Sequence, residues 1–174
     1  GHPAHPVDAL AAIDASTMVE PGEPFFISIR SFNGVPVVAE RILTRPLSVG
    51  GVSASIGADV ASTDQSMAVP ALVSIAEAST LAVLNPSGAT IARVLVFVGG
   101  SEGEELRAEA ELAPRRRGVF DLQGLIEPGD QWIRVRSSTG TIAELTVASN
   151  GLLLTTGSIP VQGTTSVPDL LAFE

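Results

Sequence analysis

Along most of the chain, apolar and polar residues alternate with a period of two, the spacing of a strand with one face buried. In 131–137, Trp132, Arg134 and Arg136 share one side while Ile133 and Val135 share the other. The segment 26–31 divides in the same way, with Phe26, Ser28 and Arg30 against Ile27 and Ile29, and the Ile/Val side is the expected core face in both. Further strands are predicted over 79–85, 90–98, 119–122 and 141–148. Asn85-Pro86-Ser87-Gly88 sets a turn between the first two, because Asn, Pro and Gly each favour backbone geometries that a helix interior excludes. Residues 106–112 contain good helix formers, yet Leu106, Ala108, Ala110 and Leu112 alternate with charged residues, so this segment also reads as a strand.

Two stretches repeat one another. Asp14, Glu20, Pro21 and Gly22 recur in order and spacing as Asp121, Glu127, Pro128 and Gly129. Phe26-Ile27-Ser28-Ile29-Arg30-Ser31 then aligns with Trp132-Ile133-Arg134-Val135-Arg136-Ser137, and Ala39-Glu40 with Ala143-Glu144. Each copy reads as a hairpin: a Pro-Gly turn, an alternating strand, a turn containing Gly34 or Gly140, and a second strand. The predicted fold is an all-β, immunoglobulin-like or jelly-roll-like antiparallel β-sandwich built on this repeat.

The expected organisation is a flexible arm over 1–11, a partial repeat with connecting strands over 12–78, a complete sandwich over 79–160 and a loosely docked tail over 161–174. Gly1-His2 reads as a vector remnant. A lone hairpin over 12–45 would leave Ile27, Ile29, Val35 and Val37 in water with unpaired strand edges, so another segment must cover it. Cover from within the same chain, by residues 50–78 or by the second unit, is expected ahead of cover by another chain.

The hydrophobic fraction of 45% excludes a disordered chain. A net charge of −9 argues against nucleic acid and anionic membrane surfaces, since phosphate binding needs a basic face. No apolar run approaches the ~20 residues of a membrane span, so membrane insertion by this segment is not expected. The chain has no cysteine, which removes disulfides, thiolate metal sites and a cysteine nucleophile.

Leu81-Ala82-Val83-Leu84-Asn85-Pro86, the acidic hairpin at 102–105, the strand ending in Ala113-Pro114, and Val35-Pro36-Val37-Val38-Ala39-Glu40-Arg41 together resemble a bacterial immunoglobulin-like repeat family of unknown function, secreted in actinobacteria. In that family a Leu-Asn-Pro strand opens the unit and a Val-Ala-Glu-Arg strand closes it. The second copy departs from the closing motif, reading Thr141-Ile142-Ala143-Glu144-Leu145. The resemblance implies an exported or cell-envelope module, adhesive or scaffolding, that forms part of a longer protein, with no catalytic residue to carry over.

Gly99-Gly100-Ser101-Glu102-Gly103 has the form of a hydrolase elbow, but that chemistry needs a histidine base, and the two histidines are His2 and His5 at the N-terminus. A hairpin turn is the better reading. Glu102, Glu104 and Glu105 offer oxygens to a hard cation but lack a loop signature, so a solvated acidic turn is expected. Asp14 with Glu20, and Asp121 with Glu127, have the composition of a glycosidase pair; their duplication favours capping of turn amides. Glu40 and Glu144 are expected opposite Arg30 and Arg136 on neighbouring strands.

No catalytic, cofactor-binding or metal-ligating residue is therefore assigned, and no cofactor is expected. Possible ligand contacts are Trp132, an aromatic that also suits a core or edge anchor, and Arg115, Arg116 and Arg117, the sole basic run. The expected function is a non-catalytic extracytoplasmic scaffold, spacer or protein-interaction module. The alternative is a carbohydrate-binding module for cell-wall polysaccharide that uses Trp132 and the arginine turn.

Overall fold

The structure is a computed structural model that describes residues 12–20, 26–34, 36–44, 52–56, 61–70, 78–127, 130–149 and 152–161. Among the described residues its elements are one 3-10 turn (Ala15–Thr17) and ten strands. These are β1 (Glu40–Thr44), β2 (Val52–Ile56), β3 (Ser62–Ala68), β4 (Ala78–Leu84) and β5 (Ala92–Gly100), then β6 (Gly103–Leu112), β7 (Arg117–Asp121), β8 (Trp132–Ser149), β9 (Leu152–Gly157) and β10 (Ile159–Pro160). Every ladder among the described residues is antiparallel. The chain is all-β among the described residues, as the alternation predicts.

β8 organises the molecule. Its first part pairs with β5 on one side and β3 on the other, and its second part pairs with β4 and β9. β6 extends the first group beyond β5, β10 extends it beyond β3, and β7 extends the second group beyond β4. Leu81, Val83, Val94, Val96, Val98, Ile133, Val135, Leu145 and Val147 alternate inward along these strands and are fully buried. Each such aliphatic side chain is worth about 1.5–3 kcal/mol relative to water. Ile133 and Val135 are thus in the core, as expected.

The hairpin expected over 131–148 is a single strand of eighteen residues. The physical reason is pairing: both halves find partners, so the Ser137–Gly140 stretch continues through instead of reversing. Gly140 permits the passage, since a Cβ there would stand 3.1 Å from the Ala61 side chain. Thr141 is fully buried at this point and bonds with Gln65 Nε2 and Ser137 Oγ.

The first copy departs further from expectation. Residues 26–31 form no strand, and Ile27 and Ile29 are more than half exposed, so that copy's Ile/Val face is not core. Alternation supplies a strand face, but no neighbour within the described residues supplies hydrogen bonds to it. The strand that does form is β1, and β2 from the 50–78 segment pairs with it in the same chain. β2 also lies alongside β9. β3, from the same connecting stretch, pairs with β8. The Pro21-Gly22 and Pro128-Gly129 turns, the 1–11 arm and residues 162–174 of the expected tail lie outside the described residues, as do His2 and His5.

β6 is a strand, as the alternation of 106–112 indicates, with one irregularity. The register steps from Phe97↔Leu106 to Val96↔Ala108, leaving Arg107 as an extra residue. This bulge turns Leu106 out of the inward series, and it is 46% exposed while Leu112 is buried.

Candidate functional site

The outward side chains of β6, β5, β8 and β3 form one surface whose rows follow from the ladders. Gly99 stands opposite Glu104 on β6 and Trp132 on β8; Phe97 stands opposite Leu106 and Arg134; Leu95 stands opposite Glu109 and Arg136. Asp64 on β3 faces Arg136. Because Gly99 has no side chain, the indole of Trp132 occupies the space above it, and Glu104 reaches across to the arginines of β8.

Four charges interlock there. Asp64 accepts two hydrogen bonds from Arg134, from Nε at 2.7 Å and Nη2 at 2.5 Å. Glu104 accepts from Arg136 Nη2 at 2.8 Å and lies 3.6 Å from Arg134 Nη1. The Arg136 guanidinium also sits 4.7 Å above the centre of the Phe97 ring, a cation–π contact. The hydrogen bonds from Arg134 to Asp64 are the main cause that raises the pKa of its guanidinium. Two arginines and two carboxylates balance, so the network is neutral. It ties β3, β8 and β6 together across β5.

Other charges on this sheet pair locally. Arg93 donates to Glu109 at 2.5 Å, and Arg107 donates to Glu127 at 2.7 Å with Glu105 at 3.2 Å. The hydrogen bond from each arginine is the first cause of a lowered pKa at Glu109 and Glu127. Glu104 and Glu105 are therefore ion-pair partners, and among the described residues no group of three or more His, Cys, Asp or Glu is placed to hold a metal ion.

Trp132 is half-buried at one end of this surface, and the arginine run is at the other end of the strands. Arg115, in the left-handed conformation at φ 56°, donates its backbone N–H to Ser87 O, and Arg116 O accepts from Asn85 N–H. That turn follows Leu112, which pairs with Ala92 at the start of β5, whereas Trp132 pairs with Gly99 near its end. Seven strand steps separate the two, roughly 23 Å. The structure does not bring Trp132 together with Arg115, Arg116 and Arg117.

Ser101 and Glu102 form the two-residue turn between β5 and β6, closed by Gly100↔Gly103, with Gly103 at φ 119°. Strand turns directly into strand, so the helix of a nucleophile elbow is missing. Asp121 caps a turn amide as expected, accepting from Gln123 N–H at 3.0 Å, but the Glu127 side chain instead pairs with Arg107. The expected pairing of Glu144 with Arg136 is also corrected. Glu144 bonds to Arg41 at 2.5 Å, because the ladder places Ala82 and Gly157 beside it, while Arg136 turns to the other sheet group.

Sequence reasoning missed Phe97, Asp64 and Glu104 as members of this surface. Phe97 carried a usable signal, since it alternates with Val96 and Val98. Asp64 carried none, because its segment showed no pattern that paired it with β8.

No family model and no curated protein matches the chain. Among solved structures it is similar to that of Thermotoga maritima 1070, from Thermotoga maritima, at a TM-score of 0.46 and 13% identity, covering 60% of this chain and 98% of that one. No helix among the described residues is long and apolar enough to cross a membrane.

Proposed function

We propose that the chain is a non-catalytic, immunoglobulin-like or jelly-roll-like β-sandwich module of a secreted or cell-envelope protein, serving as scaffold, spacer or protein-interaction domain. The observation that carries this reading is the use of charge on the exposed sheet. Asp64, Glu104, Arg134 and Arg136 satisfy one another across neighbouring strands rather than converging on a reacting centre. A strand shared by two groups of strands suits a two-layered sandwich, in which strands change sheets at bends. The resemblance to secreted immunoglobulin-like repeats supports an extracytoplasmic location.

Two measurements test the proposal. Assays with ester and glycoside substrates should show no turnover; turnover abolished by Ser101→Ala would overturn it. Fractionation of source cells with an antibody to the chain should find it outside the cytoplasm, and a wholly cytoplasmic signal would remove the envelope assignment.

A carbohydrate-binding reading is favoured by one observation, the placement of Trp132 on the sheet face that carries Arg134, Arg136 and two carboxylates. Aromatic faces stack on sugar rings, while paired charges hydrogen-bond hydroxyls. Calorimetric titration with cell-wall polysaccharide separates the readings: saturable binding lost in Trp132→Ala would favour this one.

A further inference from the structure

The chain has three asparagines, Asn33, Asn85 and Asn150. An asparagine loses its amide when the backbone nitrogen of the next residue attacks its Cγ, so the reaction needs an N–H on that residue and room for a succinimide ring. Asn85 has neither, because Pro86 follows it without an N–H and its side chain is fully buried. Asn150 precedes Gly151, and both lie outside the described residues.

Asn33 and Gly34 meet both requirements. They are exposed, in a bend outside any strand. Gly34 stands at φ 75°, in the left-handed region that favours glycine, and the place a Cβ would take there has nothing within 4 Å. The missing side chain leaves the Gly34 nitrogen unshielded, and the open space lets the bend tighten into the ring. The amide is also activated. Ser31 Oγ donates to Asn33 Oδ1 at 2.8 Å, which draws electron density from Cγ and steadies the oxygen on which negative charge gathers during the attack. Phe32 between them is 91% exposed, so water reaches the site.

The matching stretch of the chain offers a contrast. Ser31, Asn33 and Gly34 align with Ser137, Thr139 and Gly140, and Ser137 Oγ donates to the backbone oxygen of Thr139. That stretch lies within β8 and has no amide beside its glycine.

We propose that Asn33 is a site of spontaneous deamidation and that the Ser31 hydroxyl promotes it. The Gly34 nitrogen gives its proton to solvent base and bonds to Asn33 Cγ; the Cγ–Nδ2 bond breaks, and Nδ2 leaves as ammonia after taking a proton from water. A second water then opens the succinimide at either carbonyl, leaving aspartate or isoaspartate. Either product adds one negative charge, and isoaspartate also lengthens the main chain by a methylene. The inference goes beyond the proposed function, since it concerns the chemistry of this bend whatever the module does.

Peptide mapping by mass spectrometry tests it on the folded full chain, aged in neutral and in mildly alkaline buffer. The Asn33 peptide is expected to convert into an aspartate and isoaspartate pair, faster in the alkaline buffer because the attacking nitrogen must lose its proton. Ser31→Ala should slow the conversion about fivefold, the effect of one net hydrogen bond on a rate. Gly34→Ala should slow it further by shielding the nitrogen, and its methyl group enters open space. An Asn33 that keeps its amide throughout, whether or not Asn150 loses its own, would overturn the proposal. So would conversion at the parent rate in Ser31→Ala.

Discussion

The indole of Trp132 lies on Gly99, in the space where any other residue at that position would carry its Cβ. A methyl group there would run into the ring and into the Gly103 carbonyl that closes the β5–β6 turn. Gly99→Ala should therefore destabilise the fold by about 1–3 kcal/mol, the usual cost of overpacking a fitted site. Trp132 is the single tryptophan, so its fluorescence reports the displacement directly. An unchanged emission spectrum and urea midpoint would show that the ring does not depend on the glycine.

Asp64 and Arg134 join β3 to β8 through two hydrogen bonds, with side chains only 29% and 17% exposed. Such a charge-assisted, two-point contact should show a coupling of about 1 kcal/mol in a double-mutant cycle of Asp64→Asn and Arg134→Gln. Glu104 also approaches Arg134, so the loss on Arg134→Gln should exceed that on Asp64→Asn. Additivity of the two substitutions would mean that the pair is solvated and incidental.

The strands were legible wherever alternation and pairing agreed. Ile133, Val135, Val94, Val96 and Val98 announce their burial by period, and the structure places each in the core. Ile27 and Ile29 have the same period yet stand in water, since alternation describes one strand and says nothing of the strand beside it. The continuity of β8 was hidden for a related reason. Gly140 reads as a turn in isolation, but ladders on both sides of it hold the backbone extended. The charged surface depends on register, so Asp64, Glu104, Arg134 and Arg136 could not be grouped before the strand order was known.

Acid should weaken the β5–β6 sheet in a defined direction. Hydrogen bonds from Arg93 and Arg107 lower the pKa values of Glu109 and Glu127, respectively, below the ordinary glutamate value. The native state thus holds these protons less tightly than the unfolded chain, and the associated stability is present at neutral pH. It should fade as pH falls from the ordinary glutamate value through the lowered native ones. Both groups are exposed, so the effect should be small, and Glu109→Gln with Glu127→Gln should flatten the acid side of the melting-temperature profile. An identical slope in the double variant would show that other carboxylates govern acid unfolding.

Asn85 anchors the far end of the same strands from a fully buried position. Its amide nitrogen donates to the carbonyls of Thr90 at 2.8 Å and Leu112 at 2.9 Å, and its Oδ1 accepts from Ser87 N–H at 3.1 Å. One side chain thus fixes the start of β5, the end of β6 and the turn between β4 and β5. Asn85→Ala strips the partner from the carbonyls of Thr90, Leu112 and Ala113 and from the Ser87 N–H around a fully buried side chain, and the expected loss is about 2–4 kcal/mol. Asn85→Asp keeps the shape but, when ionised, aims a carboxylate at those carbonyls, so at neutral pH it should be worse than alanine. A protonated aspartate can donate one hydrogen bond, and lowering the pH should narrow its deficit relative to Asn85→Ala. Urea denaturation of both variants at neutral and acidic pH measures the difference. An aspartate variant as stable as the parent at neutral pH would show that the amide's donor role is not what holds this corner.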